Sequence, residues 1–529
     1  MIERNDYVHP YWEHAYFFSK PVLSMWLMAL GMKIIGALDG PAGAMSIYTE
    51  WAVRLPFALL AILGVAFVYL AAGRIWGRKA GLLSAVALAT MPFYDLIARQ
   101  AMTDMPFVSL MSAALCAFMI AVFARPDREA PPSAPWLYVF YVLCGLATLA
   151  KGLLGLALPG AVILAWVVVG KHWRLLPKLR IPTGVLVGAA VCAPWYTTMI
   201  LFHGKDDEFR TFFERFFIHD HFNRIAAGVH TTTPGGTFVY FIEQLGFGIF
   251  PWVAAIPGAF AVAARRQNFE GRRTLEEEAR LFVLLWALVA WLTFSLSATK
   301  FHHYGFPTVV PLAILSGLFV LTVWREGLPR HFVVLLLGIV LYVAVAQNLV
   351  LKPKHLADLF VYNYERPYPT REVDPRRLFA VLFTVGGLGM FGGWLWRSRK
   401  VMLGSFLGLA ILFAIHVSWF HWTALSPHWS QRDLFWRYYH DRKDDEPIAA
   451  YYMNWRGETF YSQNHVVQVK DARRLREFVA PPGPEYVIVE RGRFKGMQSV
   501  LGSRYRLRIL DRTNNKFYLV RVDDAAPAS

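Results

Sequence analysis

The chain has 529 residues, of which 56% are hydrophobic, 16% aromatic and only 17% charged, and its mean hydropathy is +0.36. Soluble domains carry about 25% charged residues, so the composition excludes an ordinary soluble domain and points to a polytopic α-helical membrane protein. The net charge of +17 is no argument for nucleic-acid binding, because much of it lies in short loops between apolar stretches, where it sets orientation. Cys116, Cys144 and Cys192 all fall inside apolar stretches, which gives no disulfide framework and no metal spacing.

In chain order, the opening residues MIERNDYVHPYWEH are polar and aromatic and carry no cleavable-signal pattern. The segment Val22–Leu38 contains Lys33 and several small-residue breaks, and Asp39-Gly-Pro follows it. It is expected to lie in the membrane interface as an amphipathic helix rather than to cross. Spans are expected at about 53–72, 80–98, 105–123, 136–150, 152–169, 181–202, 238–262, 281–297, 305–323, 332–351, 378–395 and 401–419. Each is near the length a helix needs to cross hydrocarbon. The tightest junction is Lys151-Gly152. The longest loop, 203–237, holds Phe209, Phe212, Phe213, Phe216 and Phe217 at near-helical spacing, which predicts a second interfacial helix. From about residue 425 the apolar runs shorten to strand length at Ile448–Met453, Tyr486–Glu490, Tyr505–Leu510 and Phe517–Val522. Asn514-Asn515 is a turn candidate, and Lys470–Phe478 and Phe494–Leu501 are helix candidates. The expected organisation is a segment 1–52 with an interfacial helix, a transmembrane domain 53–424, and a small α/β domain 425–529.

The loops divide by charge. Those at 73–79, 124–135, 170–180, 263–280, 324–331 and 396–400 carry 19 Lys and Arg in 61 residues; the alternate set carries 13 in 75. The first set is therefore expected on the cytoplasmic side. Four polar clusters then fall together on the outer side: Tyr16–Pro21 (YFFSKP), Ala98–Pro106 (ARQAMTDMP), Ala193–Tyr196 (APWY) and Ser297–Pro307 (SATKFHHYGFP). Ionisable groups near a bilayer are costly and mark a site.

Asp104, at a span mouth, has the chemistry of a general base or of a group that orients an attacking hydroxyl or amine. Arg99 beside it suits a phosphate, or tunes the proton affinity of Asp104; the plainer reading is an Arg–Asp pair anchoring a helix end. Lys20 and Lys151 are compact point charges suited to phosphate, against the plainer role of snorkelling interface lysines. Lys300, His302, His303 and Tyr304 have donors for phosphate and sugar oxygens, against aromatic-belt anchoring. Adjacent histidines do not face one way on a helix, so this pair is a weak metal signal. Tyr196 belongs to the APWY cluster. In the long loop, Glu214, His219, His221 and Arg224 are candidate substrate contacts or parts of a structural helix.

Taken together, YFFSKPVLSMWLMALGMKIIG, WAVRLP, ARQAMTDMP, LATLAKGLLGLALP, APWY, GIFPW and FSLSATKFHHYGFP, in this order over roughly residues 5–310, resemble the GT-C fold membrane glycosyltransferases. The similarity is to the bacterial aminoarabinose transferase and protein O-mannosyltransferase superfamily. The resemblance implies a GT-C bundle in the bacterial inner membrane, with the active site and a C-terminal α/β domain in the periplasm. It implies transfer of a hexose or pentose from a polyprenyl-phosphate carrier to a lipid A-like lipid or a protein. The expected partners are membrane lipids, the donor and the acceptor, with no nucleic acid; no cofactor is required beyond the donor, and the need for a divalent metal is left open. It maps donor-phosphate contacts onto Lys20 and the Lys300–Tyr304 cluster, and the family's second acidic motif onto Asp104. Family members usually carry a first transmembrane helix followed by an acidic motif that includes the residue regarded as catalytic, ending in something like AREM. This chain starts at what looks like the Met of that motif, so a first span and its acidic residue are expected upstream of Met1; Glu3 and Asp6 are not its equivalents.

The chemistry expected is an inverting transfer. Lys20 and Lys300 neutralise the phosphate with help from Arg99, Asp104 positions the acceptor or assists as base, and the acid expected upstream of Met1 is the principal base. The rival readings are a transporter or flippase, which favours mid-membrane charges and inverted repeats, and a non-catalytic relative that binds the carrier lipid.

Overall fold

The computed structural model describes all residues except 13–14, 36–46, 224–237, 267–272, 298–299, 360–373, 444, 454–456, 482 and 525–529. The described chain divides into two compact units: Met1–Ile34, Trp51–Asn363 and Pro375–Val417 form one, and the remainder, chiefly Ser418–Ser529, forms the other.

The first unit is helical apart from a two-strand ribbon, β1 (Tyr11–Trp12) with β2 (Ala15–Tyr16). Its helices are α1 (Leu23–Ile35), α2 (Ile47–Trp76), α3 (Arg78–Thr90), α4 (Pro92–Ala98), α5 (Asp104–Phe123), α6 (Ala134–Lys151), α7 (Leu154–Gly170) and α8 (Ile181–Leu201). They continue with α9 (Phe238–Gly248), α10 (Ile256–Ala264), α11 (Leu275–Leu296), α12 (Phe306–Glu326), α13 (Phe332–Leu351), α14 (Arg376–Leu395) and α15 (Arg399–His416). Among the described residues nine helices are long and apolar enough to cross a membrane, and two bent pairs bring the number to 11. The expectation of twelve continuous spans is corrected in three places. The stretch 80–98 is α3 and α4 at 68° to one another, the stretch 238–262 breaks by 113°, and α7 has only 17 residues. Proline explains the first break: Pro92 begins α4, so Met91 before it takes an extended backbone. The segment expected at Val22–Leu38 is a 13-residue helix over its described part, about 20 Å long at 1.5 Å per residue and short of the ~30 Å hydrocarbon layer.

Two helices form the centre of this unit. Every residue of α5 is buried, as are nearly all of α12. Serine and alanine at Ser109, Ser112, Ala113, Ala114 and Ala117 let neighbours approach α5 closely, the usual packing device in lipid. Gly317 does the same for α12: a Cβ there would stand 2.5 Å from the Ser84 backbone nitrogen of α3. The outer helices show lipid-type surfaces, as at Val333, Leu336, Leu337 and Val340 of α13, all exposed. At the far end of the bundle from Asp104, a capping box on Thr274 and Glu277 starts α11. There Glu278 accepts from Trp166 Nε1 at 3.1 Å and contacts His172 Nε2 at 2.9 Å.

The second unit is a mixed five-stranded sheet: β3 (Ile448–Tyr451), β4 (Val467–Val469), β5 (Glu485–Glu490), β6 (Tyr505–Asp511) and β7 (Phe517–Asp524), in the order β4-β3-β5-β7-β6. Strand β3 pairs parallel with β4 and β5, and β7 pairs antiparallel with β5 and β6. Side chains alternate between two buried faces, as strand geometry requires. Ile448, Ala450, Tyr486, Ile488, Phe517 and Leu519 meet Leu434, Phe435 and Tyr438 of the helix Arg432–Asp441. Ala449, Val487, Val489, Val520 and Val522 meet Leu475, Met497 and Leu501, from the helices Ala472–Phe478 and Phe494–Leu501. The four expected strands and two expected helices are present; β4, the helix Arg432–Asp441 and the one-turn helix Gly457–Tyr461 were not foreseen.

Glu485 at the start of β5 is 4% exposed. Burial, with the charges of Asp524, Asp523 and Glu446, pushes its pKa up from 4.5 to about 7. The folded state therefore binds a proton that the unfolded state releases between pH 4.5 and about 7, so stability falls as pH rises through that window. Glu485→Gln removes this slope. A thermal-unfolding series from pH 4.5 to 8 checks it; an identical pH slope in the variant would count against the assignment.

Candidate active site

Asp104 begins α5 and Lys151 ends α6. The two helices are antiparallel neighbours joined by a short connection, so the start of one and the end of the other share one end of the bundle. Each charge suits its helix terminus, an anion at the N-terminus and a cation at the C-terminus. Lys151 Nζ donates directly to Asp104 Oδ1, with side chains only 13% and 6% exposed. A third span mouth arrives with α12, whose preceding 3-10 turn His302–Gly305 places His303 Nε2 at 3.7 Å from Asp104 Oδ1. Lys151 Nζ also stands 5.2 Å from the centroid of the Tyr304 ring and 5.5 Å from that of Phe107, within cation–π range. Lys20 is close enough that its charge, like those of His303 and Lys151, acts on the Asp104 carboxylate.

An aromatic cluster supports this end. Phe18, Leu149, Trp195, Tyr196, Phe212 and Phe216 are buried against one another. They join the Lys20 segment, the last turn of α6, α8 and the long loop. Tyr196 serves this support: its hydroxyl donates to Thr148 O at 2.9 Å, within the last turn of α6. Trp195 Nε1 donates to Val8 O at 2.9 Å, tying down the N-terminal segment.

The other candidates are placed differently. Arg99 makes an i,i+4 pair with Asp95 at 3.2 Å, so the helix-anchoring partner of Arg99 is Asp95 and the basic partner of Asp104 is Lys151. Lys300 Nζ donates to Ser297 O at 2.8 Å, at the C-terminus of α11. His302 is buried beside His303, ring centroids 5.0 Å apart. In the loop, Phe213–Asn223 is a π-helix of 11 residues, not the α-helix that the phenylalanine spacing suggests. Phe212 and Phe216 are buried while Phe209 and Phe213 are exposed. Glu214 accepts from the Thr211 backbone and hydroxyl at 2.8 and 2.9 Å. His219 Nδ1 lies 3.3 Å from Asp220. His221 Nδ1 donates to Phe216 O at 2.7 Å. Arg224 lies outside the described residues.

What reasoning from sequence missed is the partnership of Asp104 with Lys151. The available signal was an acid opening one span and a base closing the next across a short connecting loop.

The described helices thus form a multi-span membrane bundle with a buried acid–lysine pair and further cations gathered at one end. Residues 19–197 match the family model for dolichyl-phosphate-mannose-protein mannosyltransferase. The chain is 28% identical over 317 residues to the undecaprenyl phosphate-alpha-4-amino-4-deoxy-L-arabinose arabinosyl transferase of Erwinia tasmaniensis, covering 60% of this chain and 52% of that protein. To one such transferase of Pseudomonas fluorescens it is 31% identical over 325 residues, covering 60% and 49%. The chain thus spans about half the length of these relatives. The crystal structure of ArnT from Cupriavidus metallidurans bound to undecaprenyl phosphate superimposes with a TM-score of 0.73 at 20% identity, over 98% of this chain and 91% of that one. The fold is therefore shared across nearly the whole chain.

Proposed function

We propose that this protein transfers a sugar from a polyprenyl-phosphate carrier to a lipid A-like lipid or a protein acceptor, at the periplasmic face of the bacterial inner membrane. The observation that carries the reading is the convergence of Asp104, Lys151, His303 and Lys20 at one end of the bundle. The relatives named for undecaprenyl-phosphate-aminoarabinose transfer support it.

In this reading the acceptor hydroxyl or amine attacks the anomeric carbon, and the bond from that carbon to the phosphate oxygen breaks. The electron pair leaves with the polyprenyl phosphate, and configuration inverts. The departing phosphate is already a good leaving group, so no cofactor is required. The protein holds the reactants and stabilises the charge that develops. Lys20 faces the phosphate, His303 and Tyr304 offer donors beside it, and Asp104 orients the acceptor and takes its proton. Lys151 holds the Asp104 carboxylate in place.

A transferase needs no sealed compartment. Purified protein in detergent, given a polyprenyl-phosphate-linked sugar and lipid A, is expected to release polyprenyl phosphate and glycosylate the lipid. Carrier turnover that appears only in sealed vesicles would mark a transporter instead. The positive charge of the opposite loops supports the periplasmic placement. A cysteine at exposed Ser503 (S503C) is expected to react with an impermeant thiol reagent in intact spheroplasts; reaction only after lysis would reverse the orientation.

A further inference from the structure

We propose that His221 is a positioning residue that seats the loop π-helix on the Gly152 turn and thereby fixes Lys151 against Asp104. The inference rests on the reading of Asp104 and Lys151 as the reactive end of the bundle.

The seat has two halves. Gly152 ends α6 with φ 79° and ψ −153°, a backbone region open essentially to glycine alone. The missing Cβ leaves room that His221 takes: a Cβ on Gly152 would stand 2.5 Å from His221 Nε2, 2.9 Å from His221 Cε1 and 2.9 Å from Phe216 Cζ. The histidine and phenylalanine are five residues apart. In an α-helix of 3.6 residues per turn such side chains diverge. The i→i+5 winding of a π-helix brings them together, with ring centroids 4.5 Å apart and His221 Nδ1–H donating to Phe216 O at 2.7 Å. Phe216 is 1% exposed in the cluster that holds the last turn of α6. The π-helix and the glycine thus form one fitted contact, and the residue directly before Gly152 is Lys151. π-helical winding is rare; here it delivers one ring to the turn that carries the lysine.

The test needs no turnover. Purified protein is treated with a small amine acylating reagent, and the modification rate of Lys151 is read by peptide mass spectrometry. Loss of the seat in His221→Ala is expected to raise that rate roughly tenfold, the middle of the range for coupling between contacting residues. His221→Phe, which refills the seat with a ring that cannot titrate, is expected to stay near the native rate. In the transfer assay the same pair separates: the alanine variant loses about tenfold or more in kcat, while the phenylalanine variant keeps most of it with an unchanged pH profile. An unchanged Lys151 rate in His221→Ala would overturn the proposal. So would equal loss of kcat in both variants with the acidic limb of the pH profile gone, which would make His221 an acid–base group. A native protein that transfers nothing yet gives the expected labelling pattern would overturn the transferase reading and leave the seat standing.

Discussion

Asp104→Asn is expected to lower sugar transfer by about 10²–10⁴-fold, the range over which a positioned acid–base group contributes. The substitution keeps the shape of the side chain and removes the charge that faces Lys151 and His303. The amide does not take the acceptor's proton, and it holds Lys151 less firmly. In the proposed mechanism the loss belongs in kcat rather than in the KM for the carrier, because the substitution leaves Lys20, the proposed phosphate contact, in place. Steady-state kinetics on monodisperse protein, below its unfolding temperature, make the comparison. Retention of full activity would remove Asp104 from the mechanism.

Lys151→Met carries the largest expected effect on stability. Truncating one partner of a buried ion pair costs up to about 3–5 kcal/mol, whereas replacing both partners is nearly neutral; His303 and Lys20 still act on Asp104 and hold the cost below the top of that range. Lys151 and Asp104 are both nearly inaccessible, so Lys151→Met is expected to lower the unfolding temperature in detergent sharply. Combining it with Asp104→Asn restores most of the stability and none of the activity. That divergence is the signature of a pair whose structural worth lies in mutual neutralisation and whose chemical worth lies in the acid. If the double variant is no more stable than Lys151→Met alone, the two residues are not coupled as the geometry indicates.

Much of the architecture was legible in the sequence because hydropathy marks lipid-crossing helices directly, as in Phe332–Leu351 with almost no polar residue. Apolar runs of strand length at Tyr486–Glu490 and Phe517–Val522 likewise marked strands buried on both faces. What escaped was short or non-local. Val467–Val469 is only three residues long and gains its strand character from pairing with β3. The phenylalanines of the long loop repeat at intervals of three, four and one, which fit an α-helix, and nothing in that spacing announces a five-residue hydrogen-bond step. Within the site, Asp104, Lys20 and His303 stood out as polar residues at span mouths. Arg99 stood out equally, but its partner one helical turn back is Asp95. Lys151 was seen as the residue of a tight turn; its contact with Asp104, 47 residues away, depends on the register of two antiparallel helices, which residue spacing does not encode.

The most direct measurement of the account is the binding of undecaprenyl phosphate to the purified protein, set against the undecaprenol of the same chain length and against the Lys20→Ala variant. If Lys20, His303 and Tyr304 form a phosphate-facing site beside Asp104, the phosphate binds at least about tenfold more tightly than the alcohol, since charge-assisted hydrogen bonds are roughly twice as strong as neutral ones. Lys20→Ala then removes most of that difference. Equal affinity for phosphate and alcohol, or a preference that Lys20→Ala leaves intact, would contradict a phosphate site at this end of the bundle.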